Sequence, residues 1–214
     1  MTVVFDLDGT LIDSRNRHWL LLGELLRERS IPIPEGFQTE LMEYKGNGKS
    51  TLSYLIHRMC LPKEQADEIN RRWIKKIEAP EWLKHDILYK DSISTCDLIA
   101  NAGDTIVYLS IRNNEEAARQ ELRILGLEKY AKEIIILPQS GDVTKDVVLK
   151  RLLLQDPACI MVGDTEKDFD AAQKAKIPAY IVNRGFRSKD FWDNRHVCSY
   201  DGFEELKEKV MACE

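Results

Sequence analysis

Apolar residues follow two different rhythms along this chain. At the start a short run, Val3-Val4-Phe5, leads into Asp6-Leu7-Asp8-Gly9-Thr10-Leu11-Ile12-Asp13-Ser14. A brief continuous apolar run suits a strand buried on both faces of a parallel sheet. The spacing then turns helical. Trp19, Leu22, Leu25 and Leu26 form a stripe on a segment that Asp13 or Ser14 can cap and that runs to about Arg29. Ile31-Pro32-Ile33-Pro34 breaks it, and residues 35–87 read as helical throughout. One segment carries Phe37, Leu41 and Tyr44, the next Leu52, Leu55, Ile56 and Met59. Pro62 opens a third with Ala66, Ile69, Trp73, Ile74 and Ile77. Nothing in that block reads as a strand.

From residue 91 strands and helices alternate. A helix with Ile93, Leu98 and Ile99 ends at Gly103, and strand Thr105–Leu109 follows. Asn113 or Asn114 caps a helix that stops at Gly126. Strand Ile134–Leu137 precedes a helix over 144–154, and strand Cys159–Val162 a helix from about 166 to 175. Strand Ala179–Val182 and a last helix over about 203–212 complete the series. This order predicts an α/β fold, a doubly wound, mostly parallel sheet interrupted after its first strand by an inserted all-helical cap. Residues 1–13 and 88–214 form the core on this reading, and 14–87 the cap.

Composition narrows the function classes. The 214 residues are 43% hydrophobic and 31% charged, an ordinary globular balance. A net charge of −5 supplies no basic footprint for nucleic acid. No apolar run approaches the roughly 20 residues needed to cross a bilayer. The chain enters a strand at once, without a basic segment leading into an apolar leader. Five cysteines, odd in number and without a C-x-x-C pair, favour a reduced cytoplasmic compartment over a disulfide framework or zinc site. No oligomeric partner is predicted.

Candidate chemistry begins where the first strand ends. Residues i and i+2 of an extended segment share a face, so Asp6 and Asp8 would project toward one space. Adjacent carboxylates repel, and burying them is costly without a cation or hydrogen-bond donors. Mg²⁺, with its preference for hard oxygens, resolves that cost. Asp8-Gly9 between apolar residues also fits a hairpin turn, which leaves Asp6 without a reason. In doubly wound sheets ligands gather at the carboxyl ends of strands. The strand ending at Leu109 delivers Ser110, then Arg112 and Asn113; the strand ending at Val162 delivers Gly163-Asp164-Thr165-Glu166-Lys167-Asp168. Lys145 opens the helix between them. Separately, Asp164 and Thr165 can be helix caps, Ser110 a turn hydroxyl and Lys145 a solvated lysine. Together they place four carboxylates, a hydroxyl and an ammonium group on one rim.

These stretches resemble the four motifs of the haloacid dehalogenase-like hydrolases, and the helical block resembles that family's C1 cap. The likeness is to capped phosphatases, the phosphoglycolate phosphatase and β-phosphoglucomutase-like members. It implies Asp6 as nucleophile and Asp8 as general acid/base. It also implies Mg²⁺ held by Asp6, the Asp8 carbonyl and Asp164, with Asp168 steadying metal-bound water. Ser110 and Lys145 would bind the phosphoryl group. Two departures stand out: the Lys-Pro pattern common at motif III is absent, and Ile-Arg-Asn after Ser110 leaves Arg112 unexplained. Gly46-Asn47-Gly48-Lys49-Ser50-Thr51 looks like the end of a P-loop, but Glu43 sits at the required first glycine and a helix precedes it. The segment 44–48 instead resembles the cap's substrate loop, and His18 stands where capped relatives carry a hinge histidine. Thr10, His18, Lys45, Lys49, Arg112 and Asn113 are thus candidate substrate-binding residues, and Arg15 and Arg17 add to a basic mouth. The expected activity is Mg²⁺-dependent hydrolysis of a small phosphorylated metabolite through an aspartyl-phosphate. The alternatives are a phosphomutase and a non-catalytic module that binds a phosphoryl ligand. A halide leaving group needs no proton, so Asp8 argues against a dehalogenase.

Overall fold

A computed structural model describes residues 1–211. Its centre is β1 (Thr2–Phe5), buried at every position. Parallel neighbours flank β1 on both sides, with Val3 opposite Ile106 on one and Ile160 on the other. A strand paired on both edges and covered on both faces has no solvated positions, which explains its unbroken apolar run. After β1 come β2 (Ile12–Asp13) and five helices, α1 (Arg15–Glu28), α2 (Phe37–Gly46), α3 (Thr51–His57), α4 (Lys63–Lys76) and α5 (Pro80–Leu83). Next are β3 (Ile87–Leu88), α6 (Ser92–Asn101), β4 (Thr105–Ile111), α7 (Glu115–Ile124) and β5 (Ala131–Leu137). Then follow α8 (Lys145–Gln155), β6 (Cys159–Gly163), α9 (Glu166–Ala175), β7 (Ala179–Ile181), α10 (Lys189–Asp193) and α11 (Glu204–Met211). Residue 212, the expected end of the last helix, lies outside the described residues.

The main sheet has the order β5-β4-β1-β6-β7 with every pairing parallel, the doubly wound α/β core that the periodicity predicts. Strand alternation sends Val3 and Phe5 into one apolar layer and Val4 into the other, with Val148, Leu149 and Ala172 of α8 and α9. The helical block has its own core, built from Leu21, Leu25, Leu41, Tyr54, Ile69 and Trp82 among others.

Three features were left open or unannounced by the sequence. No hairpin folds back on β1: Gly9 donates to the Ile12 carbonyl at 2.7 Å, and Ile12 pairs antiparallel with Leu88. Both passages between core and helical block therefore run through one two-stranded ribbon, β2–β3. Two-residue strands carry too few positions for a period to register. The third feature is α10, capped by the Ser188 side chain, which accepts from Phe191 N–H at 3.2 Å. The loop before it docks the helical block: Ser188 N–H donates to the Gly46 carbonyl at 3.1 Å, and Arg187 Nη1 to the Lys45 carbonyl at 3.1 Å.

Phe5 is fully buried and meets Phe203 edge-on, with ring centroids 5.7 Å apart. Phe5→Ala should lower the unfolding free energy by about 3–5 kcal/mol in urea titration. Leu154→Ala, at an exposed site, should stay within about 0.5 kcal/mol. Equal effects would mean that β1 is not the packing centre.

Candidate active site

Asp6 extends the β1 ladder by one residue, donating its N–H to the Val162 carbonyl at 2.9 Å. It shares the parity of Val4 and so faces the layer of α8 and α9. There Lys145, the first residue of α8 and buried, donates to Asp6 Oδ1 and Asp168 Oδ1, each at 2.6 Å. A cation at a helix N-terminus is mildly unfavourable, and here two buried carboxylates offset that. Asp168 also serves its own helix: its Oδ2 accepts from Thr165 N–H at 3.1 Å and from the Thr165 hydroxyl at 2.7 Å. Both of its oxygens are in use.

Asp164 is fully buried at the end of β6. Its Oδ2 accepts from Phe186 N–H at 2.6 Å, while Oδ1 has no partner among the described residues. Gly9 makes room for it. A Cβ at Gly9 would run into the Asp164 carboxylate, and φ is +82° there, in the region that favours glycine.

Oxygens of Asp6, Asp164 and Asp168 lie within 4.8 Å of one another. One ammonium group thus bridges two of three buried carboxylates, Asp6 and Asp168, and the third, Asp164, accepts only from a backbone N–H among the described residues. Burial pushes Asp6 up to about 6, with Lys145 pulling it down and Asp168 pushing it further up. Burial, with repulsion from Asp6 and Asp168, holds Asp164 well above the usual carboxylate range. A surplus of hard anionic oxygens, one of them unpartnered, fits a divalent cation.

Asp8 belongs to a different charge group. Arg112 grips it with Nε on Oδ2 at 2.8 Å and Nη2 on Oδ1 at 2.9 Å, and Arg17 Nη2 reaches Oδ1 at 2.6 Å. Burial alone would raise its pKa, but Arg112 and then Arg17 outweigh that and bring it down to about 2. Behind the arginines stand two more buried acids. Arg112 Nη1 donates to Glu121 Oε2 at 2.5 Å, and Arg17 Nη1 pairs with Asp86 Oδ2 at 2.9 Å without hydrogen-bond geometry. Burial pushes Asp86 up to about 9, past the pull of Arg17. Asp6 and Asp8 therefore share no hydrogen-bond partner, because the chain leaves the strand between them.

The other expected residues divide. Ser110 is buried on β4, and Thr10 is fully buried with an unpartnered hydroxyl. The His18 ring packs on Trp73 and Phe186, with centroids 5.1 and 4.5 Å away, and its Nδ1 is buried without a partner. Burial, then Lys45, Arg17 and Arg112, hold it well below the ordinary histidine range. Lys45 Nζ lies 5.2 and 5.5 Å from the Trp73 and Phe186 ring centroids and is lowered to about 8 by burial and then Arg187. Lys49 and Asn113 are exposed, and Asn113 Oδ1 accepts from Gln139 N–H at 3.1 Å, a loop contact. Sequence reading missed Asp86, Glu121, Phe186 and Arg187. Glu121 left a signal, four residues after Ala117 and beside Leu122 on the buried face of α7; the others left none.

The sequence matches the haloacid dehalogenase-like hydrolase family over residues 3–182, and the chain belongs to that family. It is an enzyme of the phosphatase kind. A phosphoglycolate phosphatase from Aquifex aeolicus is 27% identical over 86% of this chain and 85% of its own length. A Mycobacterium tuberculosis protein named tyrosine-protein kinase PtkA is 28% identical over 89% of this chain and 65% of its own length. Among solved structures, a haloacid dehalogenase-like hydrolase from Streptococcus pneumoniae superposes with a TM-score of 0.74 at 20% identity, covering 97% of each chain.

The crowded carboxylates make a stability prediction. Asp6 and Asp164 have raised values when folded, so the metal-free folded chain keeps protons that the unfolded chain has released above about pH 4. That stability is present at low pH and lost as pH rises through about 6. In chelator, Asp164→Asn should melt above wild type at pH 8, with the gap closing toward pH 5. A gap that does not change with pH would remove carboxylate crowding as its cause.

Proposed function

We propose that the chain hydrolyses small phosphomonoesters with Mg²⁺, through a phosphoryl group carried on Asp6. The observation that supports this best is the buried Asp6–Lys145–Asp168 bridge beside Asp164. It sets a nucleophilic carboxylate next to a fixed cation and a surplus of hard oxygens. Asp6 and Asp164 would hold the metal, together with the Asp8 carbonyl expected from the family's motif. Mg²⁺ bound there offsets the repulsion between an anionic nucleophile and a phosphoryl dianion.

The chain's own residues do the rest. Lys145 engages Asp6 through Oδ1, which leaves Oδ2 to attack phosphorus as the bond to the ester oxygen breaks. A protonated Asp8 would give its proton to the departing alkoxide. The resulting carboxylate would then take a proton from a water molecule attacking the same phosphorus. That second attack breaks the bond to Asp6, releasing phosphate and restoring the Asp6 carboxylate and the protonated Asp8. Ser110, at the end of β4, and Lys145 would bind the phosphoryl oxygens.

His18, Lys45 and Thr10 are proposed as the surroundings of the leaving group. The kinase name of some relatives suggests a nucleotide donor, but the P-loop-like stretch here joins α2 to α3 rather than a strand to a helix. Hydrolysis is therefore favoured over transfer. A reducing, cytoplasmic setting belongs to the same proposal, supported by the free thiols of Cys60, Cys96, Cys159 and Cys198. No helix among the described residues is long and apolar enough to cross a membrane.

Asp6→Asn should abolish the phosphoenzyme, read as a mass increase of the intact protein after rapid quench. Asp8→Asn should cut turnover of alkyl phosphates by about a hundredfold or more, and of aryl phosphates by less, since their leaving groups need little protonation. Equal phosphate release by wild type and Asp8→Asn would reject the acid/base role. Activity should vanish with a chelator and return with Mg²⁺; full turnover in chelator would reject the metal.

A further inference from the structure

Three consecutive residues after β7 touch both halves of the candidate metal centre. Phe186 N–H donates to Asp164 Oδ2 at 2.6 Å. Gly185 is pressed against both halves: a Cβ there would run into the Asp164 carboxylate and the Gly9 backbone. Arg184 Nη2 donates to the Thr10 carbonyl at 2.9 Å. Residues 184–186 are thus wedged between Asp164, just past β6, and the turn that carries Asp8, Gly9 and Thr10. The reaction steps set out above use none of the three.

One side chain holds this wedge in place. Arg184 Nη1 grips both oxygens of Asp91, at 2.7 and 2.8 Å. Its guanidinium carbon lies over the rings of Tyr89 and Phe203, 4.2 and 4.3 Å from their centroids. Tyr89 Oη returns a hydrogen bond to the Arg184 carbonyl at 2.9 Å, and Phe203 N–H donates to Asp91 Oδ2 at 3.1 Å. The side chain is 14% exposed. An ion-paired guanidinium stacked on rings in this way is fixed by its flat shape, which a lysine does not reproduce. Tyr89 and Asp91 lie on the passage out of the helical block, just before α6, and Phe203 meets Phe5 of β1. Arg184 therefore anchors the wedge and the Thr10 carbonyl to the packed core.

We propose that Arg184 is a positioning residue for the metal centre. Through the Thr10 carbonyl and its own backbone it sets the gap between the turn after β1 and the Asp164 carboxylate. This rests on the Mg²⁺ reading above, and Arg184 stands outside the four motifs that carry that reading. Mg²⁺ demands near-ideal octahedral geometry at short distances, so its ligands must already stand close to their final places. The Asp8 carbonyl and Asp164 come from separate segments, and no local rule fixes their separation. Without Arg184 the turn would be free to drift from Asp164, and metal binding would have to draw the two together. The deficit then falls on metal affinity. Once the site is filled the geometry is restored, so turnover at saturating Mg²⁺ is spared.

The test reads the binding of Mg²⁺ alone to the full chain by titration calorimetry. Arg184→Ala should raise the Mg²⁺ dissociation constant by about 10–100-fold, the usual effect of removing a group that orients metal ligands. Excess Mg²⁺ should bring its turnover of an aryl phosphate back near wild type. The deleted side chain leaves a slot bordered by Tyr89, Phe203 and Asp91. Millimolar guanidinium, far below denaturing concentrations, should enter that slot and restore Mg²⁺ affinity. Methylammonium, a compact charge without the planar fork, should not. A general loosening of the fold would lower affinity with no response to guanidinium, and that result overturns the proposal. So does unchanged affinity in the folded variant, or turnover that stays low at saturating Mg²⁺. Should Arg184→Ala fail to fold, Asp91→Asn decides. An amide cannot hold the guanidinium through two anionic oxygens, so Mg²⁺ affinity should fall there too, and unchanged affinity refutes the role. Wild type that binds no Mg²⁺ overturns the metal reading along with this one, whereas equal affinity in wild type and variants overturns this inference alone.

Discussion

One buried ammonium group holds the core of this site together. Lys145 joins the end of β1 to the starts of α8 and α9 through Asp6 and Asp168. Without it, three carboxylates would face one another in a space closed to water, at a cost that fold stability could not absorb. With it, the cluster is still short of positive charge. That deficit lifts Asp6 and Asp164 and makes the position receptive to a cation.

Two aspartates separated by one leucine are pushed in opposite directions, Asp6 to about 6 and Asp8 to about 2. Environment alone separates them, and unlike environments for like groups are how one site assigns different tasks. Asp6 is the last residue held in the sheet, so strand parity aims it at Lys145. Asp8 lies beyond the strand, where the turn at Gly9 delivers it to Arg112, the residue after β4, and to Arg17 from α1. The two carboxylates thus take their hydrogen bonds from separate networks, while the charge of Asp8 still helps to raise Asp6.

The helical block is tied to these networks at both of its ends. Its entry carries Arg17 and His18, and its exit carries Asp86, which pairs with Arg17 across the ribbon. Its outer loop meets the core through Lys45, Gly46 and Arg187, with Lys45 and His18 set against Trp73 and Phe186. A movement of the block would therefore alter the field around Asp8 directly. Arg187, also paired with Glu166 at 2.6 Å, links that docking loop to the first turn of α9.

Much of the architecture was legible in the sequence because it rests on local rules. Continuous apolar runs marked the buried strands, 3.6-residue stripes marked the helices, and the alternation of the two determined an α/β core interrupted by helices. Asp6, Lys145, Asp164 and Asp168 were legible because each stands at the end of a strand or the start of a helix, positions that a parallel sheet gathers on one rim. The ribbon β2–β3, the docking loop with α10, and the partners of Asp8 were settled only by tertiary structure. Arg17, Asp86, Arg112 and Glu121 come from four separate segments, and nothing in the local pattern of any one names the other three. Their pairing follows from burial: charges enclosed together must find partners wherever the fold has brought them, and sequence distance does not enter that requirement.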